Sequence, residues 1–195
     1  MGNGIVKELK KECDIRDEWI SYELHPEIPK PGISRVQLFP GIKEQEMQDK
    51  QAQLNRMGAP YGLCFKEMSW IANTNLALQA SEYARDYGKF HEYHEQLLYA
   101  NYTLGKKIGE LNVLLDIAQD IGLDSEGLKT ALQENRYQVR LIEAGQKAEK
   151  DQIMVTPTFI INDRYRIVGA QSLNKFRKTF REISLGHASN PFTLL

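Results

Sequence analysis

Ile153-Met154-Val155-Thr156-Pro157-Thr158-Phe159-Ile160-Ile161-Asn162 is the stretch that decides the fold. A Thr-Pro pair stands directly before a run of β-branched and aromatic residues. The run ends at Asn162-Asp163, a turn signal, and Tyr165-Arg166-Ile167-Val168 follows as a second run. A hairpin is predicted, with strands over 158–161 and 165–168. Proline has no N–H, so it fits the start of a strand and not its middle. An X-Pro bond before a buried strand is also a setting that suits a cis peptide.

Moving outward, Gly169-Ala170-Gln171-Ser172 leads into a helical pattern over 173–183, with Leu173, Phe176, Phe180 and Ile183 at helical spacing. Ser172 is a natural N-cap. On the N-terminal side the chain is helical for a long way. Helices are predicted over 41–57, 69–87, 90–102 and 111–121. Gly88 and Gly122 act as stops. A further helix begins at Asp124 or Ser125 and runs, with a bend, to Lys150. Before all of these come a short amphipathic helix over 4–12 and a strand over 15–24. That strand is expected to be buried on both faces, with Ile20, Tyr22 and Leu24 on one side and Trp19 on the other. His25-Pro26-Glu27-Ile28-Pro29-Lys30-Pro31-Gly32 is a loop dense in breakers.

This order resembles an α/β thioredoxin-like fold with an inserted helical subdomain. The wording Val-Thr-Pro-Thr-Phe-Ile-Ile-Asn then Val-Gly-Ala-Gln is similar to the cytoplasmic DsbA-like branch, as are residues 22–29 and 58–63. That branch includes polyketide-associated dithiol isomerases and is related to 2-hydroxychromene-2-carboxylate isomerases and kappa-class glutathione transferases. The resemblance covers roughly residues 4–185. It implies a thioredoxin-like core from 1–32 and 151–185, a helical insertion over 33–150 and a tail over 186–195. It also implies thiol–disulfide oxidoreduction or isomerisation, with Val155, Thr156 and Pro157 as the substrate-binding loop.

The chain departs from the family at its start. There the family carries its first strand, in the middle of the sheet, and a Cys-Pro-x-Cys just before the first helix. Here Met1 stands in that place, and the first central strand is expected to be missing. Its absence would leave two neighbours with unpaired backbone rows. The expectation is that the true start lies upstream of Met1, or that another chain supplies the strand, as in a homodimer. Catalytic residues are unknown on this reading, and the 195-residue chain is expected to be inert in dithiol exchange. The partners implied are protein or peptide thiols and disulfides. Two alternatives stay open: a glutathione-dependent isomerase or transferase, weakened by Gly169-Ala170-Gln171 lacking the acid of a Gly-x-Asp signature, and a non-catalytic peptide-binding module.

Composition sets the outer bounds. A net charge of −1 points to neither nucleic acid nor an anionic membrane surface. No apolar run approaches transmembrane length, and residues 1–12 lack the apolar core of a signal peptide, so a cytoplasmic location is expected. The two cysteines, Cys13 and Cys64, form no C-x-x-C. Cys13 has acidic neighbours and reads as incidental. Cys64 reads as a packed free thiol. His91 and His94 have the spacing for two ligands on one helix face, but no third ligand is apparent, so a solvated face is the better reading and no metal or cofactor is expected. Tyr83, Tyr87, Phe90, Tyr93 and Tyr99 read as helix–helix core.

Overall fold

The computed structural model describes residues 1–186 and 192–195. The chain divides into two compact units, one formed by Met1–Ile20 with Glu149–Leu195, the other by Ser21–Ala148.

The first unit is built on a sheet. Helix α1 (Gly2–Leu9) buries Gly2, Ile5, Val6 and Leu9, the apolar face of its amphipathic pattern. Strand β1 (Ile15–Asp17) follows. The hairpin is β4 (Thr158–Ile161) and β5 (Tyr165–Val168), in the register Thr158 to Val168 through Ile161 to Tyr165. Its turn has Asn162 at φ 50° and Asp163 at φ 55°. Two consecutive left-handed residues match the right-handed twist of the flanking strands, and Asn and Asp tolerate that conformation. Helix α9 (Leu173–Gly186) starts at Ser172, whose hydroxyl accepts from Lys175 N–H at 3.3 Å, and it contacts α1.

The expected gap in the sheet is closed. The strand order is β1-β6-β4-β5, and β6 is Phe192–Leu194, from the stretch expected to be a tail. It runs parallel to β1, with Ile15 beside Phe192 and Asp17 beside Leu194, and antiparallel to β4. Phe192 N–H donates to Asp14 C=O, and Glu18 N–H to Leu194 C=O. On the other side Asn162 N–H donates to Thr193 C=O, and Leu195 and Ile160 exchange both backbone bonds. Phe192 and Leu194 are buried, and Phe192 stacks on Phe180 with ring centroids 4.6 Å apart.

The strand expected over 15–24 is only three residues long and buries one residue, Ile15, fully. Beyond Asp17 the side chains are committed elsewhere. Ser21 donates to the buried Glu82 at 2.6 Å, and Glu23 accepts from Asn75 at 2.9 Å, both within the second unit.

The second unit is helical. It contains α2 (Arg35–Leu38), α3 (Glu44–Gly58), α4 (Asn75–Asp86), α5 (Phe90–Tyr102), α6 (Leu111–Asp120), α7 (Ser125–Gln133) and most of α8 (Gln138–Lys150). A two-stranded pairing of β2 (Ile33–Ser34) with β3 (Trp70–Ile71) was not foreseen and shortens the helix expected from 69. Asn135 at φ 50° ends α7 and separates it from α8. The core packs Ala77, Ala80, Tyr83 and Ala84 of α4 against Tyr93, Leu97, Leu114, Ile117, Leu128 and Leu132. Asp124 caps α7, accepting from Glu126 and Gly127 N–H. Tyr83, Phe90 and Tyr93 are buried as expected, whereas Tyr87 and Tyr99 are half exposed. Among the described residues no helix is long and apolar enough to cross a membrane.

Candidate functional site

The site is assembled at the tip of α1. Helix α1 has no side-chain cap and no acid in its first turn. Its first intrahelical bond is Ile5 N–H to Met1 C=O, so the N–H groups of Gly2, Asn3 and Gly4 have no acceptor within the helix. Such a tip carries partial positive charge and favours an anion or a thiolate placed against it.

The proline loop reaches this tip. A β-carbon built on Gly2 would lie 3.3 Å from Pro157 Cβ and Cγ and 3.2 Å from Trp19 Cη2. Glycine is therefore the residue that lets helix, proline and indole converge. The Thr156–Pro157 peptide is cis. Pro157 C=O accepts from Gly169 N–H at 2.8 Å, which ties the loop to the end of β5. Thr158 hydroxyl donates to Val155 C=O at 2.6 Å and tightens it further.

What the loop leaves unspent matters most. Met154, Val155 and Thr156 are exposed, Met154 at 78%. Among the described residues, the N–H of Val155 and both the N–H and C=O of Thr156 make no hydrogen bond. Backbone groups in that state are what an added strand pairs with. Behind the tip, Trp19 donates its indole N–H to Asp17 Oδ2 at 2.8 Å, and Asp17 also forms an ion pair with Lys10.

Cys13 does not stand here. Cys13 lies four residues beyond Leu9, the last residue of α1, a helix about 12 Å long that begins at Gly2. It lines an open cleft of about 580 Å³ with Asn174, Arg177 and Phe180. Burial and the neighbouring Glu12 push its thiol pKa up, so the thiol stays protonated and unreactive at neutral pH. Cys64 belongs to the second unit. It is exposed, which corrects the expectation of a packed thiol, because the chain there is anchored through backbone rather than side chain: Thr103 hydroxyl donates to Cys64 C=O. His91 is exposed, while His94 stacks on Phe90 with centroids 5.5 Å apart. Sequence reasoning missed Gly2, Asp17 and Lys10. Trp19 was visible, but only as one face of a strand.

Comparison with known proteins places these features in context. Residues 2–181 match the family described as DSBA-like thioredoxin domain. The chain is 30% identical over 183 residues to the uncharacterized protein YwbO of Bacillus subtilis, covering 93% of this chain and 89% of that protein. A solved structure described as a probable DsbA oxidoreductase, from Streptomyces coelicolor, superimposes with a TM-score of 0.75 at 18% identity, over 82% of this chain and 71% of that one. A candidate protein disulfide isomerase from Nitrosomonas europaea gives a TM-score of 0.57 at 14% identity, over 75% and 77% of the two chains. At these identities the two structures speak for the fold, a thioredoxin-like core with mixed α and β content.

Proposed function

The chain belongs to the DsbA-like thioredoxin domain family, and from that premise we propose that it binds extended thiol- or disulfide-bearing polypeptide along Val155, Thr156 and Pro157. The observation that supports this reading is the exposed loop with unspent backbone donors and an acceptor, set beside the uncapped tip of α1. A peptide laid along it would pair as an additional strand. A sulfur next to Pro157 would then sit at the positive end of the helix, where a thiolate is favoured.

The chemistry of exchange needs an attacking thiolate and a resolving thiol. The 195 residues hold two cysteines and no C-x-x-C. Cys13 is at the far end of α1 with a raised pKa. The 195-residue polypeptide is thus a binder of such substrates and not, by itself, a dithiol catalyst. The glutathione-dependent alternative has less support: Gln171 stands where an acid is wanted and donates its amide to Val168 C=O.

Two measurements test this. Insulin reduction with dithiothreitol is expected to proceed at the uncatalysed rate, and a rate well above it overturns the inert reading. Titration with an unstructured polypeptide is expected to show saturable binding that is lost in Thr156→Pro, which removes the Thr156 N–H. Equal binding by that variant removes the loop from the site.

A further inference from the structure

A second concavity lies away from the proline loop, past the C-terminal end of α1. It is an open cleft of about 580 Å³ between the turn after α1, one face of α9 and the start of β6. All of it belongs to the first unit. Sites for small molecules have volumes of roughly 300–1,000 Å³. Arg177, Arg181 and Leu185 follow one another at four-residue spacing, so α9 carries all three on one face. Phe180 and Phe192, stacked on each other and each 3% exposed, supply the apolar floor. Leu185 adds an apolar side chain that is 89% exposed.

The charges in the cleft do not cancel. Its charged lining is Glu12, Arg177 and Arg181. Glu12 and Arg177 are matched: Arg177 Nε donates to Glu12 Oε2 at 2.8 Å and Nη2 donates to Oε1. Arg177 Nη1 is spent on Asn174 Oδ1 at 3.1 Å. Arg181 has no hydrogen bond or ion pair among the described residues. Its charge does reach Glu12, whose carboxyl is held below its ordinary range by the hydrogen bond from Arg177 and by the charges of Arg177 and Arg181. Cys13, on the other wall, keeps its proton and so adds no negative charge.

From this geometry we propose that the cleft binds a small amphipathic carboxylate, its apolar body on Phe180, Phe192 and Leu185 and its carboxylate on Arg181. An exposed ion pair contributes little by itself, so the apolar body is what makes the complex hold. The planar guanidinium fork of Arg181 matches a carboxylate and fixes which end of the ligand lies there. A cation of the same size would meet the unmatched positive charge and be refused. The site is independent of the peptide-binding reading of the loop.

Decanoate, kept below its micellar range, is the probe. Acetate, which has the charge without the body, and decyltrimethylammonium, which has the body with the opposite charge, are the controls. Calorimetric titration of the 195-residue chain is expected to show saturable decanoate binding at one site and neither control binding comparably. Arg181→Gln and Leu185→Asp both change exposed side chains, and circular dichroism checks that each variant keeps the parent's fold. Arg181→Gln should weaken decanoate about tenfold, the effect of losing a charge-assisted hydrogen bond, and Leu185→Asp severalfold. The chain has two cysteines, so Cys64→Ser leaves Cys13 as its one thiol. Saturating decanoate should slow alkylation of Cys13 by the neutral reagent iodoacetamide severalfold, read by mass spectrometry. Absence of saturable decanoate binding overturns the site. Unchanged affinity in Arg181→Gln overturns the anchor, and equal binding of either control overturns the amphipathic selection. Unchanged Cys13 alkylation under saturating decanoate puts the probe elsewhere on the protein and overturns the assignment to this cleft.

Discussion

Pro157 rests against Gly2, the first residue of α1, with room between them for no side chain larger than a methyl group. A β-carbon on Gly2 would sit 3.3 Å from two proline carbons and 3.2 Å from the Trp19 ring. Alanine there needs neighbours to give by only a few tenths of an ångström. Valine or leucine cannot be placed without moving the helix tip off the loop. Gly2→Leu is therefore expected to cost about 1–3 kcal/mol, the usual range for overpacking, while Gly2→Ala stays within about 1 kcal/mol. Urea unfolding followed by circular dichroism checks both. Equal midpoints for Gly2→Leu and the parent would mean that the helix tip and the proline are not in contact.

Gly127 gives a case where magnitudes decide the sign. Alanine is the better helix former by about 1 kcal/mol, so propensity alone favours Gly127→Ala in α7. The position forbids it. A β-carbon there would collide with Asp124 Oδ2 and would meet the Tyr83 hydroxyl at 2.5 Å. Gly127 N–H also donates to the Asp124 cap at 3.0 Å. Displacing the cap costs about 1 kcal/mol and overpacking a further 1–3 kcal/mol. Gly127→Ala is expected to lower the melting temperature despite its higher helix propensity. A raised melting temperature would sink the argument.

His94 makes stability depend on pH. Burial, with His91 and Arg85 adding to it, lowers its pKa from 6.5 to about 4. The neutral ring stacks on Phe90, whose ring also faces the Arg85 guanidinium at 3.9 Å. Between pH 6.5 and 4 the unfolded chain therefore binds the proton that the folded one refuses. Stability from this group is complete above pH 6.5 and declines as the pH falls to about 4. His94→Gln is expected to flatten that part of the profile. Urea midpoints at pH 7 and pH 5 measure it, and a parallel decline in parent and variant would assign the dependence to other groups.

The hairpin, the helix after Ser172 and the helix over Phe90–Tyr102 were legible because each rests on local signals: alternation, an Asn-Asp turn, a cap, helical spacing. What escaped was set at long range. Ile20, Tyr22 and Leu24 alternate like a strand, but Ser21 and Glu23 are claimed by Glu82 and Asn75, and those bonds outrank the pattern. Ile33–Ser34 and Trp70–Ile71 are too short to register as strands until they meet. Gly2 carries no side-chain signal, and Asp17 and Lys10 look like ordinary surface charges until folding buries one against the other. Phe192–Leu194 was the largest omission, because nothing in three residues announces that they will enter the middle of a sheet.

That strand carries the last prediction. Phe192 is 3% exposed, and its ring lies nearly parallel to Phe180, with an interplanar angle of 8°. Phe192→Ala removes the stack and leaves a void, which costs about 3–5 kcal/mol in a packed core. The loss should be local before it is global, since strands at low stability open first. Three amides depend directly on β6 and the residue after it for their acceptors: Glu18 on Leu194, Asn162 on Thr193 and Ile160 on Leu195. Hydrogen exchange at these three is expected to accelerate in Phe192→Ala. Leu128, whose N–H donates to Asp124 C=O at the start of α7, should keep the parent's rate. If Glu18, Ile160 and Asn162 exchange at the parent's rate while the protein as a whole is destabilised, β6 is not what pairs β1 with β4 in solution. If they accelerate and Leu128 does not, the strand from the end of the chain is what holds the sheet together at its centre.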